Sequence, residues 1–248
     1  MIYVSPRHDF EEEVKVTVKI QIDNSLDLGW KKDDIILVTN FDYKYKDIKS
    51  LAVSDNAYCG YFPRCSKWFA IIELFERNLI KKEELYWYHD FDTFQLEVIN
   101  ESEIPDDADM ALCDYGRAPM WYAGSIFFRK KAQDIFKKTK EIMDMYEVRG
   151  DGVEVDERAL YVLTCENEEI NKRVKKLNNT YNFHSRNVDS NYAAAQKPLK
   201  AVHFHPLKED VYMGIKKPFT FFKGANKISQ PFITERIVRI FNQHGIYE

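Results

Sequence analysis

Residues 34–39 read Asp-Ile-Ile-Leu-Val-Thr, an apolar and largely β-branched run with no polar residue interleaved. A strand with one wet face alternates apolar and polar side chains. An unalternated run belongs to a strand covered on both faces, as in a parallel sheet flanked by helices. Ile2-Tyr3-Val4-Ser5, Leu85-Tyr86-Trp87-Tyr88-His89, Gly124-Ser125-Ile126-Phe127-Phe128 and Ala201-Val202-His203-Phe204-His205 are further candidate strands. Between them the periodicity changes. Trp68, Ile72, Phe75 and Leu79 place one apolar stripe on a helix, and Ala132, Ile135, Phe136, Ile142 and Met143 do so over residues 131–146. Residues 156–163 form a shorter amphipathic piece. A last helix is expected with Pro231 in its first turn, Ile233, Ile237 and Ile240 as its stripe, and Gly245 as its stop.

Residues 14–26 fit two patterns. Val14, Val16, Val18, Ile20 and Ile22 alternate like a strand, while Phe10, Val14, Val18, Ile22 and Leu26 recur like a helix. Parallel strands at 2–5 and 34–39 require a crossover, usually helical, so a helix is expected here against the β-branched propensity. Strand–helix alternation implies an α/β fold with a mostly parallel central sheet flanked by helices. Ligands of such sheets bind beyond the carboxyl ends of the strands, and candidates for chemistry should follow strands.

With no Pro-, Gly- or Ser-rich divide and no repeat, residues 1–248 read as one domain, with 221–248 as a helical appendage. Hydrophobic residues make up 45%, enough for a packed core, which excludes a disordered chain. Thirty-six basic against 40 acidic residues give a net charge of −4, which argues against nucleic-acid binding by bulk charge. No apolar run of about 18 residues occurs, so no membrane span is expected. The first residues lack a signal peptide's pattern. Cys59, Cys65, Cys113 and Cys165 form no Cys-x-x-Cys pair, which leaves a zinc knuckle unsupported and fits a cytoplasmic chain.

Four constellations could carry chemistry. Asp90-Phe91-Asp92 follows the aromatic strand 85–89 directly, and two carboxylates one residue apart can converge on Mg²⁺ or Mn²⁺. The spacing alone is weak, because Asp107-Ala108-Asp109 repeats it in an acidic loop expected to be merely solvated. His203 and His205 sit at i and i+2 of a strand, on one face, and imidazole is a good ligand for such metals; hydrogen bonding alone is the plainer reading. Trp121-Tyr122-Ala123-Gly124 would be a turn before a strand, where Gly124 admits a ligand close to the backbone and the aromatics could stack on a sugar. Glu154, Asp156 and Glu157 surround a helix start, where carboxylates serve the helix dipole or act on a proton or developing cation.

Taken in order, the N-terminal strand, Asp90-Phe91-Asp92, Tyr122-Ala123-Gly124-Ser125, Val155-Asp156-Glu157-x-x-Leu160, His203-Phe204-His205 and Lys217-Pro218 resemble the GT-A class of nucleotide-sugar glycosyltransferases, including its glycogenin-like and small bacterial or viral members. The resemblance covers about residues 1–220. It departs from the glycogenin-like pattern where Tyr122 replaces the usual Asn, and where His205 is followed by Pro206, with Lys217-Pro218-Phe219 later. It implies a Rossmann-like sandwich, with residues 1–100 as the nucleotide-sugar half and 101–220 as the acceptor half.

By the same resemblance, Asp92 would ligate Mn²⁺ or Mg²⁺, Asp90 would lie near the metal or the donor ribose, and His203 or His205 would complete the coordination. Tyr3, Ser5 and Arg7 would hold the nucleobase and ribose of a UDP-type donor. Arg64 and Lys67 would neutralise diphosphate charge, and Gly124 would border the donor sugar. Asp156 or Glu157 would be the base or charge stabiliser at the acceptor hydroxyl. The acceptor, a glycan, protein, small molecule or modified DNA base, stays open. The setting implied is cytoplasmic, or host cytoplasm for a viral enzyme. A metal-dependent hydrolase using Asp90, Asp92, His203 and His205, or a non-catalytic sugar-binding protein, are the alternatives. A nucleotidyltransferase would need a Gly-rich phosphate loop, and residues 1–28 contain no Gly.

Overall fold

In the computed structural model, which describes residues 1–5, 12–114, 121–149, 155–184, 189–203 and 234–245, the run at 34–39 becomes a strand from Ile36 onward, preceded by a single 3₁₀ turn at Lys32–Asp34. In chain order the regular elements begin β1 (Ile2–Ser5), α1 (Glu12–Asp27), β2 (Ile36–Thr39), β3 (Lys44–Tyr45), β4 (Ile48–Ala52), α2 (Ser66–Glu76), β5 (Tyr86–His89) and β6 (Thr93–Gln95). They continue β7 (Met110–Asp114), β8 (Trp121–Phe128), α3 (Gln133–Arg149), α4 (Val155–Glu166), α5 (Glu168–Arg173), β9 (Val174–Lys176), β10 (Phe183–His184), α6 (Asp189–Ala194), β11 (Ala201–His203) and α7, the last helix (Glu235–Gln243). No described helix is long and apolar enough to cross a membrane.

The chain forms two compact units, each assembled from three separated segments. Met1–His8, Ile36–His89 and Asn100–Leu177 form the first. It holds an eight-stranded sheet in the order β3-β4-β2-β1-β5-β8-β7-β9. β1 runs parallel to β2 and β5, β2 to β4, and β7 to β9, while β8 is antiparallel to both its neighbours. Leu37, Val38 and Thr39 are fully buried, as an unalternated run requires. Trp68, Ile71, Ile72 and Phe75 of α2 lie on the helical i, i+3, i+4, i+7 stripe and pack into one core with Ile2, Val38, Tyr88, Phe128, Phe136 and Leu160. Phe128 and Phe136 meet edge to face at 5.0 Å, a geometry that adds to area burial.

Asp9–Ile35, Asp90–Ile99 and Asn178–Glu248 form the second unit. Its sheet runs β10-β11-β6, with β11 parallel to β10 and antiparallel to β6. Phe94, Phe183 and Val202 face a core shared with Ile20 of α1 and Ile237, Ile240 and Phe241 of α7. The expected helix at 14–26 is present, and packing outweighs its β-branched propensity. Its buried stretch also carries Gln21, Asp23, Asn24 and Ser25. Buried polar groups must find partners: Asn24 Nδ2 donates to Gln95 O at 3.1 Å, and His244 Nε2 lies 2.9 Å from Asp23 Oδ2.

Two boundaries differ from expectation. Trp121, Tyr122 and Ala123 are the opening of β8, not a turn before it, since Trp121 already pairs with Asp114 and Tyr122 and Ala123 are buried in the sheet. The last helix starts at Glu235, because the Thr234 hydroxyl caps it by accepting from Ile237 N; Pro231 and Ile233 lie outside the described residues. Gly245 does follow the helix, at φ +70°, which a residue with a Cβ resists.

Candidate metal centre and buried carboxylate

Asp90-Phe91-Asp92-Thr93 is a tight turn closed by Thr93 N donating to Asp90 O at 3.0 Å. The turn feeds β6, whose antiparallel register sets Thr93 opposite His203 of β11. That register brings two segments more than a hundred residues apart to one place. His203 Nε2 lies 2.9 Å from Asp92 Oδ1, with the imidazole buried and Asp92 about a third exposed. One ligand atom each from Asp90, Asp92 and His203 falls within 4.8 Å of the others, the one such trio among the described residues. Two carboxylate oxygens and an imidazole nitrogen, with no sulfur, suit a hard or borderline divalent cation such as Mg²⁺ or Mn²⁺. The donor set therefore fits the metal that the sequence suggests. The control pair joins no such trio: Asp107 is exposed and paired with Lys175, whereas Asp109 is largely buried against Arg173 and so is not merely solvated as expected.

The first unit holds a second cluster. Lys67 and Trp68 stand in the first turn of α2, and Asp156 and Glu157 in the first turn of α4. Lys67 Nζ is 3.2 Å from Asp156 Oδ2, with side chains 7% and 4% exposed. Trp68 Nε1 donates to the same oxygen at 3.1 Å, and Lys67 Nζ sits 5.6 Å from the Tyr88 ring centroid. Burial pushes the Asp156 carboxyl up, but the Lys67 charge and the hydrogen bonds from Trp68 and Lys67 outweigh it, so Asp156 is held below its ordinary range and stays ionised. Burial, then the nearby Asp156 charge, pushes the Cys65 thiol far up, which keeps it protonated and unreactive. Glu157 Oε1 accepts from Ala123 N at 3.1 Å, so its carboxylate is anchored to β8.

The remaining candidates are dispersed. Tyr3 is buried edge-on against His89, with centroids 4.9 Å apart. Arg64 is exposed, and its charge helps to lower the Asp156 pKa. Gly124 is buried inside β8. Ser5 ends β1, while Arg7 and His205 lie outside the described residues. Sequence reading missed Trp68 as a polar participant, because its helical stripe marks it as core; the signal available was that a buried indole N–H needs an acceptor.

No family model and no curated protein matches the sequence. Solved structures do match in fold. The galactosyltransferase LgtC, solved in complex with donor and acceptor sugar analogues, is 14% identical with a TM-score of 0.54, over 92% of this chain and 91% of that one. The glycosyltransferase GlyE of Streptococcus pneumoniae is 13% identical with a TM-score of 0.54, over 94% of this chain and 61% of that one. A glycosyltransferase involved in glycosylation of the major capsid of PBCV-1 is 14% identical with a TM-score of 0.52, over 83% of this chain and 96% of that one. The chain has the GT-A glycosyltransferase fold that its ordered motifs suggest.

Proposed function

We propose that the protein is a metal-dependent glycosyltransferase that moves a sugar from a nucleoside-diphosphate sugar, of the UDP type, to a hydroxyl acceptor. The observation that carries this reading is the Asp90, Asp92 and His203 trio, with ligand atoms within 4.8 Å, in a chain of GT-A fold. A fold alone does not define a function; the fold together with an N/O donor set narrows it. These three residues would hold Mn²⁺ or Mg²⁺, and the bound ion would offset charge developing on a diphosphate leaving group. His205, in the same motif, remains a further candidate ligand.

Asp156, ionised and paired with Lys67, suits charge stabilisation at the reacting centre better than proton abstraction, since a lowered pKa makes a weak base. Glu157 is then the candidate base. Tyr3, Ser5, Arg7, Arg64 and Gly124 are assigned to the donor. The interleaving of the two units along the chain supports residues 1–248 as a single catalytic domain. Four free cysteines, three of them buried, suit a reducing, cytoplasmic setting.

The test is release of nucleoside diphosphate from a panel of nucleotide sugars with Mn²⁺, for the wild type and Asp92→Asn, with products analysed with and without candidate acceptors. Metal-dependent release that Asp92→Asn abolishes, with sugar appearing on an acceptor, supports the assignment. Release giving only free sugar with every acceptor favours the hydrolase, and no release from any donor overturns catalysis.

A further inference from the structure

A side chain of a distant helix grips the backbone of the turn that carries Asp90 and Asp92. Gln21, fully buried on α1, donates from Nε2 to Phe91 O at 2.6 Å and to Thr93 O at 3.0 Å. A primary amide nitrogen has two hydrogens, and each meets a different carbonyl. The amide orientation follows from chemistry, since its oxygen could not bond to either carbonyl. The two carbonyls flank Asp92 in sequence. Phe91 O belongs to the peptide that enters Asp92 and Thr93 O to the peptide that leaves Thr93, so fixing both clamps the backbone on each side of Asp92 and limits the directions its side chain can take.

We propose that Gln21 is a positioning residue for the metal-binding pair, an inference that rests on the metal-centre reading above. Two carboxylates whose oxygens approach within 4.8 Å repel each other when no cation lies between them. Even with its own Thr93 N to Asp90 O bond and the contact of Asp92 with His203, a turn whose backbone is not otherwise held can relax that repulsion by splaying. The Gln21 amide prevents this, because any swing of the turn breaks one or both of its hydrogen bonds. The ligands are thus organised before the ion arrives, and the cation gains the affinity that reorganisation would otherwise consume. The same helix offers an internal control. One turn on, Asn24 Nδ2 makes an equivalent bond to Gln95 O, further along β6 and away from the carboxylates.

The experiment is calorimetric titration of the nucleotide-free protein with Mn²⁺, paired with urea unfolding, for the wild type, Gln21→Met and Asn24→Leu. Gln21→Met keeps side-chain volume and removes the amide. It is expected to weaken Mn²⁺ binding by about tenfold or more, the usual effect of removing a group that orients metal ligands. Asn24→Leu loses stability to a similar extent but keeps wild-type affinity within about twofold. Gln21→Asn, with an amide one methylene short of the carbonyls, falls between the wild type and Gln21→Met. Wild-type affinity in Gln21→Met overturns the proposal, as does an equal loss of affinity in Asn24→Leu, which would tie affinity to stability alone. If both Gln21 variants fail to fold, Gln21 serves folding and the proposal fails. A wild type that binds no Mn²⁺ overturns the metal reading itself, and this inference with it.

Discussion

Replacing Lys67 with Met deletes the ammonium that lies 3.2 Å from Asp156 Oδ2 and leaves a carboxylate 4% exposed, with the Trp68 indole as its remaining partner. Breaking a buried pair from one side strands a charge and costs about 3–5 kcal/mol. That is a large part of the ~5–15 kcal/mol that holds a typical protein folded. With a urea slope near ~3 kcal/mol/M, the unfolding midpoint should fall by about 1–2 M. Lys67→Met/Asp156→Asn removes both charges, and Asn can still accept from Trp68. It should recover most of the loss, to within about 1.5 kcal/mol of the wild type. Acidity separates the variants further. The wild-type Asp156 carboxyl is held low, so its contribution is present at neutral pH and is lost as pH falls below about 4. Without Lys67, burial is opposed only by the Trp68 hydrogen bond and the Arg64 charge and raises that carboxyl, so the Lys67→Met deficit should narrow as pH drops from 7 toward 4. The double variant should still lose sugar transfer, because the charge proposed to act at the reacting centre is gone. A double variant no more stable than Lys67→Met would refute the pairing argument. Wild-type transfer by the double variant would remove Asp156 from the reaction.

Three more outcomes follow from other parts of the molecule. His203→Ala should weaken Mn²⁺ binding, because the imidazole supplies one of the three ligand atoms; calorimetry checks it, and an unchanged affinity would leave the site to carboxylates. Arg173 bonds Asp109, Asp134 and Lys131 O, so Arg173→Met should cost about 1–3 kcal/mol in urea unfolding, since hydrogen bonds of charged groups are the stronger ones. It should also reduce the acid sensitivity from Asp134, whose carboxyl is held low chiefly by Arg173 and whose contribution is lost below about pH 4. Phe241→Ala empties a fully buried site against Phe94, and should cost about 3–5 kcal/mol.

Much of the fold is legible in residue pattern. The strands at 2–5, 36–39 and 86–89 and the helices from 66, 133 and 155 carry long apolar runs or clear 3.6-residue stripes, and those signals survive tertiary context. β3, β6, β9 and β10 are two or three residues long, too short for any period to register. β7, Met-Ala-Leu-Cys-Asp, has few β-branched residues to announce it. The helix at 12–27 needed a topological argument, because its β-branched alternation states the opposite. At the candidate site, the acidic pair was visible as a motif, but its meeting with His203 depends on the register of a short antiparallel pairing. Lys67 was singled out for a phosphate, yet its ammonium is committed to Asp156. Long-range ion pairs leave no local mark in a sequence. Gln21 had no motif at all, and only the burial of an amide opposite two carbonyls marks it.

The central claim is that Asp90, Asp92 and His203 hold a metal through which the protein engages the diphosphate of a sugar donor. The most direct measurement is calorimetric titration of uridine, guanosine, adenosine and thymidine diphosphates into the wild type and Asp92→Asn, each with Mn²⁺ and with a chelator. At least one nucleoside diphosphate should bind the wild type with Mn²⁺, bind at least about tenfold more weakly under chelation, and lose that metal dependence in Asp92→Asn. Binding indifferent to Mn²⁺ and to Asp92, or no binding of any of the four, would contradict it.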